Sequence, residues 1–574
     1  MNVSVTRLRD LRTRSSDAGF DAWLFNCLLD NNLLHSMNPQ ITASREQLRF
    51  MVHLEHDQPF LPCRDTTFFD LCQDTLSDNL KHQYERAWRM VMSILDTMPY
   101  PESERERIRG FCRYRFDRYV SSHNVIPSRV VKRLVAYVTA LNGPFDPWVE
   151  RRAEAIARHK RTLSSDTVTR ELQYLPAECF PGMKTIRDMN RHLHLLVLAR
   201  YASLMANVRA WSENFPSGEE LRRHFAEAEN KMEALGSALD VLGRPGSTIL
   251  LLSDADGGTL YDLSLAHFFT AHGLKVIYAV KEGFYFHSPT MQDVQENDDL
   301  REALRGAHVI TNPSISKNDL LKALREWRLV VISDGTRERL NLARVSVTFS
   351  RAWKESDLVI AHGWRKRFRL IDTSILCFWE DRDGFDVRFR PHDPAERKFS
   401  EAEINALSDA IIEEMREARA KNRPVVFYSC VIGSIPGETK TATSLVNAFV
   451  GDLRKRMPEA YIINPAEHFV EGMDGDDLMF MWERVQRSGY ITVWRFQTAE
   501  DIEKGFALLG RDVPQKWIGK DSTFSTGCTQ EMHIAQDVLR KNPEMQIVGP
   551  APERFFRRRS YGVGKYFDAQ LASR

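Results

Sequence analysis

The chain has 574 residues, 43% hydrophobic and 27% charged, which is too long for a single compact core and too apolar for global disorder. Lysine and arginine number 79 against 78 aspartates and glutamates, a formal net charge of +1, so no field of one sign steers the protein toward nucleic acid or a membrane surface. Eight cysteines lie scattered without a Cys-x-x-Cys pair, which excludes a zinc knuckle or a disulfide framework written in the spacing and fits reduced thiols.

The first twenty residues carry no apolar core of signal-peptide length, and no stretch approaches the roughly 20 apolar residues of a membrane span, so a cytoplasmic location is the expectation. Up to about Leu242 the apolar residues recur at three- and four-residue spacing, as in QYERAWRMVMSILDTM and RHLHLLVLARYASLMANVRAW, which predicts a helical region over residues 1–243. Asn142-Gly143-Pro144, Pro181-Gly182 and Pro216-Ser217-Gly218 punctuate it. Ser217, followed by Glu219 and Glu220, marks a helix start. His192 and His194 lie two apart on a predicted helix, do not share a face, and are assigned no metal.

At Arg244-Pro245-Gly246 the pattern changes. STILLLSDADGG reads as a buried strand ending in a polar, glycine-rich turn, and YDLSLAHFFTAHG as a helix. KVIYAV, AHVITN, RLVVISD and SDLVIAHG are further short β-branched runs with helical segments between several of them. This alternation predicts a central, doubly wound, mostly parallel sheet over 244–398, a Rossmann-like three-layer domain whose ligands bind outside the carboxyl ends of the strands. A charged helix at 399–423 reads as a connector. PVVFYSCV, GSIPGETKTAT, SLVNAFVGDLRKRM and AYIINPAEHF then form a βαβ unit, giving a second, smaller α/β domain over 424–574.

Asp254 and Asp256 stand in the turn after the first strand, with Gly257 and Gly258 to bend it and Asp262 further on. Carboxylates there suit a hard divalent cation, magnesium or manganese, which bridges to a substrate phosphate. Alternatively, one aspartate caps the next helix and the others meet solvent. In the second α/β domain the loop from Gly433 to Lys440 follows a strand and opens a helix, so its amides and Lys440 can cradle an anion. Its spacing departs from the Gly-x4-Gly-Lys-Ser/Thr rule, because lysine falls seven positions after Gly433 and Thr439 precedes it. Cys528 and His533, five apart on a helix, do not converge. Trp482, Trp494 and Trp517 read as core, and the basic end at Arg554, Arg557, Arg558 and Arg559 reads as a solvated helix terminus.

The order of four segments resembles the damage-control phosphatases, the acidic-residue-methyltransferase-like family. SDADGGTLYD keeps Asp254, Gly257 and Asp262 in the register of that family's Asp-Asn-Ala-Gly segment. VIYAVKEGFYFHSPTMQD matches at Lys281, Phe286, Ser288 and Asp293, VVISDGT follows, and SDLVIAHG stands for the Asp-Leu-Val-Ile-x-Lys-Gly segment. The similarity covers roughly Thr248 to Leu370. It implies a metal-dependent phosphatase acting on a small phosphorylated metabolite through metal-activated water, with Asp254 at the metal; in this chain Asp256 and Asp293 are the candidates to complete the ligand set, and Lys281, His362 and Lys366 to neutralise the phosphate. The departures are Ala255 for the family's metal-binding Asn, Pro289 or a gap for its second ligand Asp, His362 for Lys and Lys366 for Asn. They keep open a non-catalytic protein that binds a ligand or partner, and a nucleotide-using transferase working through the Gly433 loop.

Overall fold

The computed structural model describes residues 17–31, 52, 61–140, 146–175, 182–208, 211, 216–243, 246–253, 257–342, 344–363, 373–381, 384–392, 399–468, 470, 473 and 475–556. The chain divides into two compact units, Met1–Asn38 with Val52–Asp393, and Pro39–Met51 with Pro394–Arg574. The helices of the amino-terminal region therefore belong to the same unit as the first sheet, and the charged helix Glu401–Ala420 belongs to the second. Among the described residues no helix is long and apolar enough to cross a membrane.

In the first unit the strands β1 (Thr248–Leu252), β2 (Lys275–Val280), β3 (His308–Ile310), β4 (Leu329–Ser333), β5 (Leu358–His362), β6 (Ile375–Asp381) and β7 (Gly384–Arg390) form one sheet in the order β3-β4-β2-β1-β5-β6-β7. All neighbours are parallel except β6 and β7. This is the doubly wound α/β architecture expected. β1 and β4 are buried at every position, as strands covered on both faces must be. The edge strand β7 instead alternates, with Phe385 and Val387 inward, because its outer face meets solvent.

Side chains alternate between two cores. Ile249, Leu251, Tyr278, Val331, Leu358, Ile360, Leu376 and Phe378 join the core made with helices Ile186–Ala206, Gly218–Glu229 and Thr259–Ala271. Leu250, Ile277, Ile332, Val359 and Cys377 face helices Lys317–Glu326 and Val347–Glu355. Helix Gly218–Glu229 opens on a capping box between Ser217 and Glu220, which satisfies two otherwise unpaired amides.

A third core gathers helices Asp78–Thr97, Glu102–Ser122 and Pro127–Ala140, where the Tyr84 and Tyr100 hydroxyls each donate to a backbone carbonyl at 2.6 Å. Glu338, after β4, fastens this bundle to the sheet through Arg129 at 2.7 Å and Lys132 at 2.8 Å.

In the second unit β8 (Val425–Ser429), β9 (Tyr461–Ile463), β10 (Val493–Phe496) and β11 (Gln546–Val548) form a parallel sheet in the order β11-β10-β8-β9. Trp482, Trp494 and Trp517 are all buried in this unit.

Candidate functional site

In the first sheet the chain runs outward from β1 to β2 on one side and returns to β5 on the other. The switch point is thus the crevice outside the carboxyl ends of β1 and β5, where doubly wound sheets take ligands. The acidic turn leaves β1 at Ser253 and re-enters the described chain at Gly257. Asp254 and Asp256 themselves, with Ala255, lie outside the described residues, as does Lys366. Gly257 has φ +93°, and a Cβ there would stand 3.2 Å from the His287 Cβ; one on Gly258 would stand 2.6 Å from Val208 Cγ2. Glycine is therefore needed at both positions for the backbone to pass between the His287 loop and Val208, after helix Ile186–Ala206. Asp262, one turn into the next helix, is fully buried and accepts from the Tyr278 hydroxyl at 2.8 Å.

Lys281 follows β2 directly and is buried. Its Nζ donates to Asp334 Oδ2 at 2.6 Å and to Thr336 Oγ1 at 3.0 Å, and lies 5.4 Å over the Tyr285 ring. Asp334, at the end of β4, also accepts from the Thr336 amide at 2.7 Å. Burial pushes the Asp334 carboxyl above its ordinary range, with the Lys281 charge and the Thr336 donors pulling against it. Asp334 and Thr336 were not singled out from sequence, although VVISDGT carries both; their signal is polarity at the end of a buried strand.

Asp293 sits in the capping box that starts helix Met291–Glu296, accepting from the Thr290 amide and hydroxyl, each at 2.8 Å. Arg152, from helix Val149–Leu163, reaches the same carboxylate with Nε at 2.7 Å and Nη2 at 3.1 Å, and holds Asp146 through Nη2 at 2.6 Å. Arg152 also donates to the Phe286 carbonyl at 3.2 Å. The guanidinium occupies the position beside Asp293 that a cation would need, and the Arg152–Asp293 pair ties two helices and, through Arg152, the Phe286 loop together.

His362 ends β5, half-buried, its ring centroid 5.9 Å from that of Phe378. Strand alternation puts it on the face of Leu358 and Ile360, whereas Lys281 and Asp334 continue the opposite face, that of Ala279 and Ile332. The two expected phosphate contacts thus share one edge of the sheet but stand on its two faces, with β1 between them.

Gly433 and Lys440 belong to the second unit. Lys440 is exposed in the first turn of helix Thr439–Arg456, whose N-cap is Glu438 with no side-chain cap. The Glu438 carboxylate, bonded by Lys516 at 3.3 Å and Trp517 at 3.4 Å, already supplies negative charge where an anion would bind. On helix Thr526–Lys541 Cys528 is buried against the Cys430 carbonyl, while His533 stacks on Phe556.

No family model matches the chain, and no curated protein matches it. Among solved structures, a DUF89 family protein from Pyrococcus horikoshii is similar at 17% identity and a TM-score of 0.35, over 52% of this chain and 91% of that one. The likeness is distant and concerns fold alone.

Proposed function

We propose that the protein is a metal-dependent, phosphatase-like hydrolase acting on a small phosphorylated metabolite, with Asp254 and Asp256 holding magnesium or manganese. What carries the reading is the strand order, since β1, which leads into the acidic turn, is flanked by β2 and β5. Lys281, which follows β2, and His362, which ends β5, thereby stand at the sheet edge where such sheets bind ligands. A two-carboxylate donor set suits a hard cation, which when bound would polarise a phosphoryl group and activate water.

In this reading the chain's own residues divide the remaining tasks. His362 and Lys366 neutralise the phosphate. Lys281, already paired with Asp334, fixes the loop after β2. Asp293 supports that loop through Arg152 and is not a ligand.

The test is metal-dependent release of phosphate from an aryl phosphate, together with the thermal shift on adding magnesium or manganese. A ligand that binds only the folded state raises its stability by mass action, so Asp254→Ala should abolish both the shift and the turnover. Turnover undiminished in Asp254→Ala would sink the mechanism.

Two observations favour a second reading. Ala255 replaces a ligand of the resembled family and Asp293 is held by Arg152, so the turn would offer fewer donors than that family uses. A protein that binds a phosphorylated ligand without hydrolysing it would show the ligand's thermal shift and no phosphate release. The transferase reading is weakened by Glu438, whose charge opposes an anion at the Gly433 loop.

A further inference from the structure

Three side chains of the first unit meet outside the residues discussed so far. His224 and Glu227 lie three apart on helix Gly218–Glu229 and so share a face. Glu380, near the end of β6, projects from the face of Leu376 and Phe378, the one that this helix covers. One ligand atom from each can be chosen so that all lie within 4.8 Å of one another.

We infer that His224, Glu227 and Glu380 form a binding site for a first-row divalent cation such as zinc, separate from the Asp254 turn. The spacing of the pair nearest each other is informative. His224 Nδ1 stands 3.6 Å from Glu380 Oε1, which is beyond a good hydrogen bond but close to the roughly 3.4 Å between neighbouring ligands of a tetrahedral ion with bonds of about 2.1 Å. That nitrogen is enclosed by protein and makes no hydrogen bond, an arrangement that costs stability unless something accepts its lone pair or proton.

The surroundings hold the ligands in place. The buried Asn207 amide donates to Glu380 Oε2 at 3.2 Å, orienting that carboxylate as outer partners of metal ligands do. Trp211 packs edge-on against the His224 ring, with centroids 6.0 Å apart. Gly384, with φ +95°, leaves room for Glu227, since a Cβ there would stand 3.2 Å from Glu227 Oε2. One imidazole and two carboxylates are a donor set for zinc or manganese rather than for calcium, which takes six to eight oxygens. Three protein ligands leave a coordination position for water or for a substrate oxygen, and the site shares its sheet face with His362.

The full-length chain is stripped with EDTA, equilibrated with zinc, and its bound metal per chain and dissociation constant are measured for wild type, Glu227→Gln, His224→Asn and Asp254→Ala. The expected result is one zinc equivalent retained in Asp254→Ala and weakened at least about 10-fold in both of the other variants, with Asn207→Ala also weakened about 10–100-fold. Glu227→Gln nearly preserves shape, and its melt in EDTA checks that it folds. Wild type that takes up no zinc, or Glu227→Gln and His224→Asn that bind it as tightly as wild type, would overturn the assignment. Neither result touches the Asp254 reading, whose own test is loss of the magnesium or manganese shift.

Discussion

Replacing Asp293 with alanine separates two roles that the same carboxylate has been given. As a metal ligand, its loss would lower metal affinity and leave the metal-free protein nearly as stable as before. The geometry predicts otherwise. Asp293→Ala removes the acceptor for two Arg152 bonds and both Thr290 bonds at once. Breaking a buried ion pair by deleting one partner costs about 3–5 kcal/mol, because the remaining charge stays buried. Asp146 still holds Arg152, which places the cost near the lower end, and loss of the cap adds about 1 kcal/mol. A loss of about 3–4 kcal/mol is therefore expected in EDTA, read from the guanidinium midpoint of the transition of the first unit at constant slope. Less than about 1 kcal/mol of loss without metal, with destabilisation appearing only when metal is present, would refute this account.

Two further outcomes follow from buried groups near the same edge. Burial alone would raise the Glu338 carboxyl, but the charges of Arg129, Lys132 and Arg344 outweigh it and hold the group below its ordinary value. A carboxyl depressed in the folded state contributes stability above its unfolded value of about 4.5 that is lost as pH falls through the folded value. Denaturation midpoints of wild type should thus fall more steeply below about pH 5 than those of Glu338→Gln, which should lose about 3–5 kcal/mol at pH 7; parallel pH profiles would contradict it. Gly335 has φ +76°, and a Cβ would stand 2.7 Å from Ser346 Cβ and 2.8 Å from Ser346 N. Gly335→Ala should accordingly cost more than about 1–3 kcal/mol of backbone strain alone, since the neighbour is backbone and cannot swing aside, and a melt unchanged from wild type would show the turn to be more pliant than drawn.

The sheets were legible because buried parallel strands are continuous apolar runs. STILLL, KVIYAV, RLVVISD, SDLVIAHG and PVVFYSCV each became a strand. The pair β6 and β7 is not legible in the same way, because a hairpin breaks the strand–helix alternation, although Asp383-Gly384 is a common hairpin signal. β11, three residues long, is too short to show a period. Ser217 announced its helix because a capping box is local in sequence; Ser400 opens the charged helix with the same box. The Arg152 to Asp293 pair joins residues 141 positions apart, and His224 and Glu227 gain Glu380 only when β6 pairs with β5. Contacts of that range leave no local pattern, so the strand ends were legible in the sequence but not the partners that fix the side chains beside them.

The central position of β1 also sets an order of events during synthesis. Its amide at Thr248 is received by the Asp357 carboxylate, 109 residues later in the chain, and its second neighbour β5 begins at Leu358. At about 5–20 residues per second, β1 spends roughly 5–20 s after emerging with β2 as its one available neighbour and its other flank open. Such a flank is an apolar edge able to pair with another nascent chain. A strand buried at every position in the finished sheet is therefore, for those seconds, the segment on which a chaperone would act.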